Sequence, residues 1–386
     1  MKKYSIIYAL IILLLPLFSA AQEKAGFTIE GHLQGLKEGE KVTLRPFYHG
    51  KYTPVLDSAF VKNGTFKLIG IIPDGPRYVE ILFDKHTEGL DKKVVRLLLD
   101  NNENITLISG DINLIEHNYI DAYIQICGSQ SNEAYRYLRP AFTTYVQNIK
   151  SIDNALNKLK DSVGFNPDVV GELLAEKQKI HYLYNAVVLN DQDFAQAKNL
   201  YSTYTFEYHL PYLAENYNNL SEKEKNSFYG QKIKERVPLS VSQPFPDFNL
   251  PTLDGKMVSS KAVSSKSKLT LIHFWASNSV DREQYQQELR LIYKKYNAKG
   301  LSVIGVSSDK NMVEYKARVM AEEYPWPTVS DLKGDEGIVG KQYFEYRNPK
   351  APNTTNVLVD ATGKIVAWDV YGLELEWYLW KYLDKK

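Results

Sequence analysis

A single cysteine, Cys127, stands in a chain of 386 residues, so no intrachain disulfide can form and the fold has to be held by packing. Hydrophobic residues at 44% against 24% charged supply the material for ordinary globular cores, and the length predicts two or three compact units rather than one. Cys127 lies between Ile126 and Gly128, which reads as a small buried hydrophobe, the other reading being a reactive thiol or an intermolecular bridge. Aromatic residues make up 12% and include 28 tyrosines, whose apolar bodies and polar tips suit half-exposed binding surfaces.

The first residues carry Lys2 and Lys3, then an apolar run from Ile6 to Phe18, then Ser19, Ala20 and Ala21. A basic start, a short apolar stretch and small residues predict a secretory signal peptide over 1–21, leaving no transmembrane span after its cleavage. The expected location is therefore across the inner membrane, in the periplasm or cell envelope. Losing Lys2 and Lys3 takes the formal charge from +1 to −1, so nothing draws the mature chain to nucleic acid or to anionic lipid.

Four regions follow. Residues 27–129 alternate strand-like runs with turn signals, and Asn63-Gly64 between two of them is a preferred two-residue hairpin turn, predicting an antiparallel β-sandwich-like domain. Over 132–236 the period becomes helical: Tyr135, Leu138, Phe142, Tyr145, Val146 and Ile149 recur at three- and four-residue steps, with Pro140 placed to kink or divide that helix. Further helices are predicted over 169–188 and 194–208, and Ser221 with Glu224 is spaced for a capping box. The tyrosine-rich faces read as interhelical packing, with a ligand groove as the alternative. A proline- and serine-bearing linker at 237–244 leads to a final α/β domain over 245–386.

In that last domain a buried-type strand, Leu269 to Phe274, runs into Trp275-Ala276-Ser277 and then a helix with Tyr285, Leu289, Ile292, Tyr293 and Tyr296 on one face. A second strand, Leu301 to Ser307, ends at Ser308-Asp309. Strands alternating with helices predict a mainly parallel sheet with its site at the strands' carboxyl ends, here the Trp275 to Arg282 turn.

These residues, with Pro246-Asp247-Phe248 before them and Val303 to Asp309 after, resemble the TlpA- and ResA-like branch of the thioredoxin fold, a redoxin family of the AhpC-TSA kind. The β-rich region, through Gly31, Asp57-Ser58 and Asn63-Gly64-Thr65-Phe66, resembles an uncharacterised domain attached to such proteins in Bacteroidetes. In active members Phe-Trp-Ala-Ser is followed by Trp-Cys-x-x-Cys. There a helix N-terminus stabilises the first thiolate and the second cysteine resolves the mixed disulfide. The resemblance places Asn278 at the Trp position, Ser279 at the first Cys and Arg282 at the second. It also places Thr354 where the family has a cis-proline, a bond that would cost ~3 kcal/mol at threonine against about 0.5–1 at proline. It thus implies a thioredoxin-like domain with a degenerate active site, no catalytic residue and no cofactor. The vacated groove would take a polypeptide or envelope protein through Trp275, Asn278, Ser279, Arg282, Asn353, Thr354 and Thr355. The alternative is a thiol-disulfide or peroxidase-type redox protein working with Cys127 or a partner's thiol.

Other chemistries are poorly served. Ser279 with Asp281 and His273 lacks the Gly-x-Ser-x-Gly elbow of a hydrolase, and Ser279 reads instead as a helix N-cap. The seven histidines are scattered without metal-ligand spacing, and Gly334 and Gly337 lack the Lys and Ser/Thr of a phosphate loop.

Overall fold

The computed structural model describes residues 26–47, 54–72, 76–84, 93–162, 164–189, 213–279, 282–338, 340–341 and 355–385. The expected signal peptide and the helix expected over 194–208 lie outside them.

The N-terminal region is a sandwich of two four-stranded sheets. One has the order β4 (Thr65–Gly70), β1 (Phe27–Leu33), β7 (Asn104–Ser109), β8 (Gln125–Cys127); the other runs β3 (Asp57–Phe60), β2 (Lys41–Pro46), β5 (Arg77–Phe83), β6 (Val94–Leu99). Alternate residues point inward, as a half-buried strand requires. Ile29, Leu68 and Ile105 from the first sheet meet Leu44, Ile81 and Leu97 from the second in one core. Two details differ from the antiparallel expectation. β1 pairs with β7 in parallel, the chain having crossed to the second sheet for β2 and β3, back for β4, and across again for β5 and β6 before β7. The Asn63-Gly64 turn forms, with φ of 52° and 72° and paired Lys62–Thr65 backbone bonds, yet β3 and β4 then diverge into different sheets.

α1 (Gln130–Ser162) and α2 (Pro167–Leu189) pack along each other, followed by the short helices α3 (Leu213–Asn219), α4 (Glu222–Lys225) and α5 (Phe228–Lys234). α1 is continuous through Pro140, so the expected division does not occur. Pro140 sits on its exposed side, where packing does not resist the ring. Ser221 and Glu224 form the capping box in both directions. Tyr145, Tyr184 and Tyr229 are buried with Leu138, Ile149 and Leu98 of β6, fastening the helices to the outer face of the second sheet. The Tyr229 hydroxyl accepts from the Tyr78 backbone N–H at 2.8 Å.

The C-terminal domain is thioredoxin-like, with a mixed sheet ordered β13 (Thr328–Val329), β12 (Leu301–Ser307), β11 (Leu269–Trp275), β14 (Thr355–Asp360), β15 (Ile365–Trp368). β11, β12 and β13 are parallel, while β14 and β15 run antiparallel to their neighbours. Helix α6 (Ser260–Ser264) follows the hairpin β9 (Asn249–Pro251) and β10 (Met257–Ser259); α7 (Arg282–Tyr296) and α8 (Met312–Glu322) make the parallel crossovers, and α9 (Gly372–Leu379) closes the chain. Every residue of β11 is buried, as a central strand covered on both faces should be. Ile272 and Phe274 face a core with Phe248, Ile304 and Val357, and Leu269 and Leu271 face Leu289, Tyr296 and Leu375. The stretch expected as a linker is tied down: Ser242 and Phe245 donate backbone bonds to Ile365 and Gly363, and the Trp368 indole donates to the Leu239 carbonyl at 2.5 Å.

Candidate functional site

Strand β11 ends at Trp275 beside β12, and the chain turns through Ala276, Ser277, Asn278 and Ser279 towards α7. The turn is built by Asp309, which follows β12 and is 7% exposed. Its carboxylate accepts from the Ser277 N–H at 2.9 Å, the Ser277 hydroxyl at 2.7 Å and the Ser307 hydroxyl at 2.7 Å. The Ser308 N–H donates to the Trp275 carbonyl at 2.9 Å and the Ser279 N–H closes onto Ala276 at 3.2 Å. Burial, and next the Asp309 charge, push the Tyr315 hydroxyl up to about 12. Asp309 is the residue that sequence reasoning missed. Its signal was an acid placed directly after a buried parallel strand and beside a Trp-Ala-Ser turn.

Beneath the turn lies a buried polar cluster. His273 is fully buried: its Nδ1 meets Asn356 Oδ1 at 2.9 Å and its Nε2 meets Gln286 Nε2 at 2.7 Å. Asn356 Nδ2 donates to the Val370 carbonyl at 3.1 Å and to the Tyr285 hydroxyl. Burial lowers His273 to about 4 and pushes Tyr285 far above its ordinary range. With both ring nitrogens engaged, His273 is not placed to activate Ser279.

One sequence expectation needs correction. Trp275, taken as a groove contact, is 1% exposed and packs its ring against Tyr315 at 6.2 Å and Tyr324 at 5.7 Å, so it belongs to the core under the turn. Arg282 is the first described residue of α7, and Val280 and Asp281, between it and Ser279, lie outside the described residues. The Ser279 hydroxyl is buried with no hydrogen-bond partner among the described residues. Asn278 is exposed. Arg282 opens α7, its side chain lying outside what is described. Asn353 and Thr354 lie outside the described residues, but Thr355 opens β14 opposite Phe274, and its hydroxyl donates to Asp369 at 3.0 Å. Cys127 is half-buried on β8, paired with Thr106 in the N-terminal sandwich and in a different sheet from β11. Among the described residues no group of three or more His, Cys, Asp or Glu side chains is placed to hold a metal, and no helix is long and apolar enough to cross a membrane.

The model of the AhpC/TSA family matches residues 241–368, from the segment leading into β9 to the end of β15. The C-terminal domain is similar to that family. A domain of unknown function, DUF4369, matches residues 27–135, which contain the whole β-sandwich. The AhpC/TSA domain is similar to the thiol-disulfide oxidoreductase ResA of Bacillus cereus, 26% identical over 159 residues, or 41% of this chain and 86% of that protein. The ResA of Bacillus thuringiensis is 27% identical over 158 residues, covering 41% and 84%. Among solved structures, a thiol-disulfide oxidoreductase from Bacteroides fragilis is 28% identical over 36% of this chain and 98% of its own, with a TM-score of 0.32.

Proposed function

We propose that this is a secreted, cell-envelope member of the thiol-disulfide oxidoreductase family that performs no dithiol chemistry and uses the former substrate groove to bind a polypeptide. The observation that carries the reading is Ser279. It stands where the resemblance puts the attacking cysteine, in the turn after β11, yet it is buried and among the described residues neither a hydrogen-bond partner nor a base reaches its hydroxyl. A serine hydroxyl without a dedicated base is not appreciably ionised, and the guanidinium of Arg282 has no redox chemistry. The described part of the scaffold is nevertheless ordered around the turn: Asp309 clamps it from just after β12, and Thr355 starts β14 opposite Phe274. Asn278, Ser279, Arg282, Asn353, Thr354 and Thr355 are the proposed contacts, with Arg282 suited to a carboxylate or a backbone carbonyl.

The test is a turbidity assay of insulin reduction driven by dithiothreitol. The mature chain is expected to run no faster than the reductant alone, with Ser279→Ala and Cys127→Ser unchanged. Turnover above that background that either substitution abolishes would overturn the reading.

A further inference from the structure

Asn63-Gly64 forms the tip of the turn that carries the chain from β3 in one sheet of the sandwich to β4 in the other. Lys62 and Thr65 exchange backbone bonds of 2.9 and 3.0 Å on either side of it. Both tip residues are exposed and both have positive φ, a conformation that asparagine and glycine tolerate best. The Asn63 N–H donates to Glu38 Oε2 at 2.9 Å. Among the described residues, neither the Asn63 carboxamide nor the Gly64 N–H has a hydrogen-bond partner. Beyond its chain neighbours, no described atom lies within 4 Å of where a Gly64 Cβ would stand.

An asparagine carboxamide carbon and the nitrogen of the next residue can close a five-membered ring. Two things ordinarily oppose it: a side chain that shields that nitrogen, and a hydrogen bond that holds its N–H. Gly64 has neither. Comparable pairs elsewhere are held. Asn278 and Asn226 each precede a serine, and the Ser279 N–H donates to the Ala276 carbonyl at 3.2 Å and the Ser227 N–H to the Glu224 carbonyl at 3.1 Å. Asp254 precedes Gly255, whose N–H donates to the Thr252 carbonyl at 3.0 Å. Ring closure requires the Asn63 backbone to rotate out of its left-handed conformation, so the turn must open first. An exposed tip closed by two bonds opens far more readily than the sheets it joins.

We propose that Asn63 is a site of spontaneous covalent modification, converting to aspartate and isoaspartate with water as co-reactant. The Gly64 nitrogen attacks Asn63 Cγ; the new Cγ–N bond forms, the Cγ–Nδ2 bond breaks, and ammonia leaves with the Gly64 amide proton. Water then opens the resulting succinimide. Attack at Cγ restores the ordinary main chain and leaves aspartate, whereas attack at the Asn63 backbone carbonyl routes the chain through Cγ as isoaspartate. Neither step exchanges electrons with another group. Aspartate sets a second carboxylate beside Glu38, and isoaspartate adds a methylene to a two-residue turn whose length the Lys62–Thr65 bonds fix. Either product loosens the crossing between the two sheets.

The experiment incubates the full mature chain, folded, at pH 8.5 and 37 °C and maps it by chymotryptic digestion and mass spectrometry. The fragment Val61–Phe66 is expected to gain about one mass unit and to split into two chromatographic forms, aspartate and isoaspartate. Its conversion should run at least tenfold faster than that of the fragments carrying Asn226 and Asn278. In Asn63→Gln, whose side chain would have to close a six-membered ring, conversion of the same fragment should be at least tenfold slower than in the parent chain. Conversion no faster than at Asn226 or Asn278, a product without isoaspartate, or an undiminished rate in Asn63→Gln each overturns the proposal.

Discussion

At the residue scale, the hydrogen-bond pattern around His273 decides its protonation. Asn356 spends its Nδ2 protons on Tyr285 and Val370, so its Oδ1 faces the imidazole and must accept. His273 is therefore the neutral Nδ1–H form, and its Nε2 accepts from Gln286. His181, whose Nδ1 meets the Tyr145 hydroxyl at 2.9 Å, is likewise held to about 4, by burial first and the nearby Lys177 charge second. Both pKa values are depressed below the unfolded value of 6.5, so acid protonates the unfolded chain first. The associated stability is complete above about pH 6.5 and is lost as the pH falls towards 4, up to about 3 kcal/mol per histidine. Urea midpoints at pH 7.5, 6 and 5 should fall steadily, and His273→Asn should flatten the slope. A midpoint constant over that window would refute the assignment. This cluster was only half legible: His273 could be placed mid-strand from the sequence, but its partners lie 13 and 83 positions away. Asn63-Gly64 and Ser221/Glu224 were readable because their chemistry closes within four residues. Asp309 and the burial of Trp275 depend on which strands become neighbours, which no local pattern states.

At the element scale, propensity and packing compete most openly in α1. Pro140 has no N–H to give the Arg136 carbonyl, and its ring crowds that turn, an interior cost of about 3 kcal/mol relative to alanine. The helix continues because Leu138, Tyr145 and Ile149, on either side of the proline, are buried in one core with Leu98. A division at Pro140 would pull that core apart. Replacing Pro140 with alanine should therefore raise the thermal midpoint, with a gain of up to about 3 kcal/mol in unfolding free energy. An unchanged or lower midpoint would mean that the proline ring is accommodated in α1 without that cost. The same competition explains β3 and β4. The Asn63-Gly64 turn fixes the local bonds, but Asp57 to Phe60 pair with β2 and Thr65 to Gly70 with β1, so the two runs part. Strand existence and hairpin chemistry were legible in the sequence; sheet membership and the parallel β1–β7 pairing, set by residues 76 positions apart, were not.

At the scale of the whole molecule, the helical hairpin is bonded to the AhpC/TSA domain through a small mixed interface. Leu156 of α1 and Val170 of α2 share a core with Leu373 of α9, and Trp377 packs against it close to Gly171. Around it, Lys177 of α2 holds Asp153 of α1 and Glu374 of α9, each at 3.0 Å, and Lys160 reaches Glu288 of α7 at 2.7 Å. Burial works against the Lys177 ammonium, but the Glu374 and Asp153 carboxylates outweigh it and hold its pKa above the ordinary range. Among the described residues, Lys177 is thus the one cation in this interface shared between both helices of the hairpin and the C-terminal domain. Lys177→Met keeps the stem's packing while leaving two carboxylates facing each other, which should cost about 2 kcal/mol, less than a fully buried pair because the site is partly solvated. Adding Glu374→Gln should recover part of that loss, since it removes the stranded charge along with its partner. Urea unfolding followed by tryptophan fluorescence distinguishes the outcomes: Trp377 reports the interface, so Lys177→Met should also open a separate early transition as the hairpin detaches. A single transition with an unmoved midpoint would show that the apolar contact of Leu156, Val170 and Leu373 alone joins the two regions.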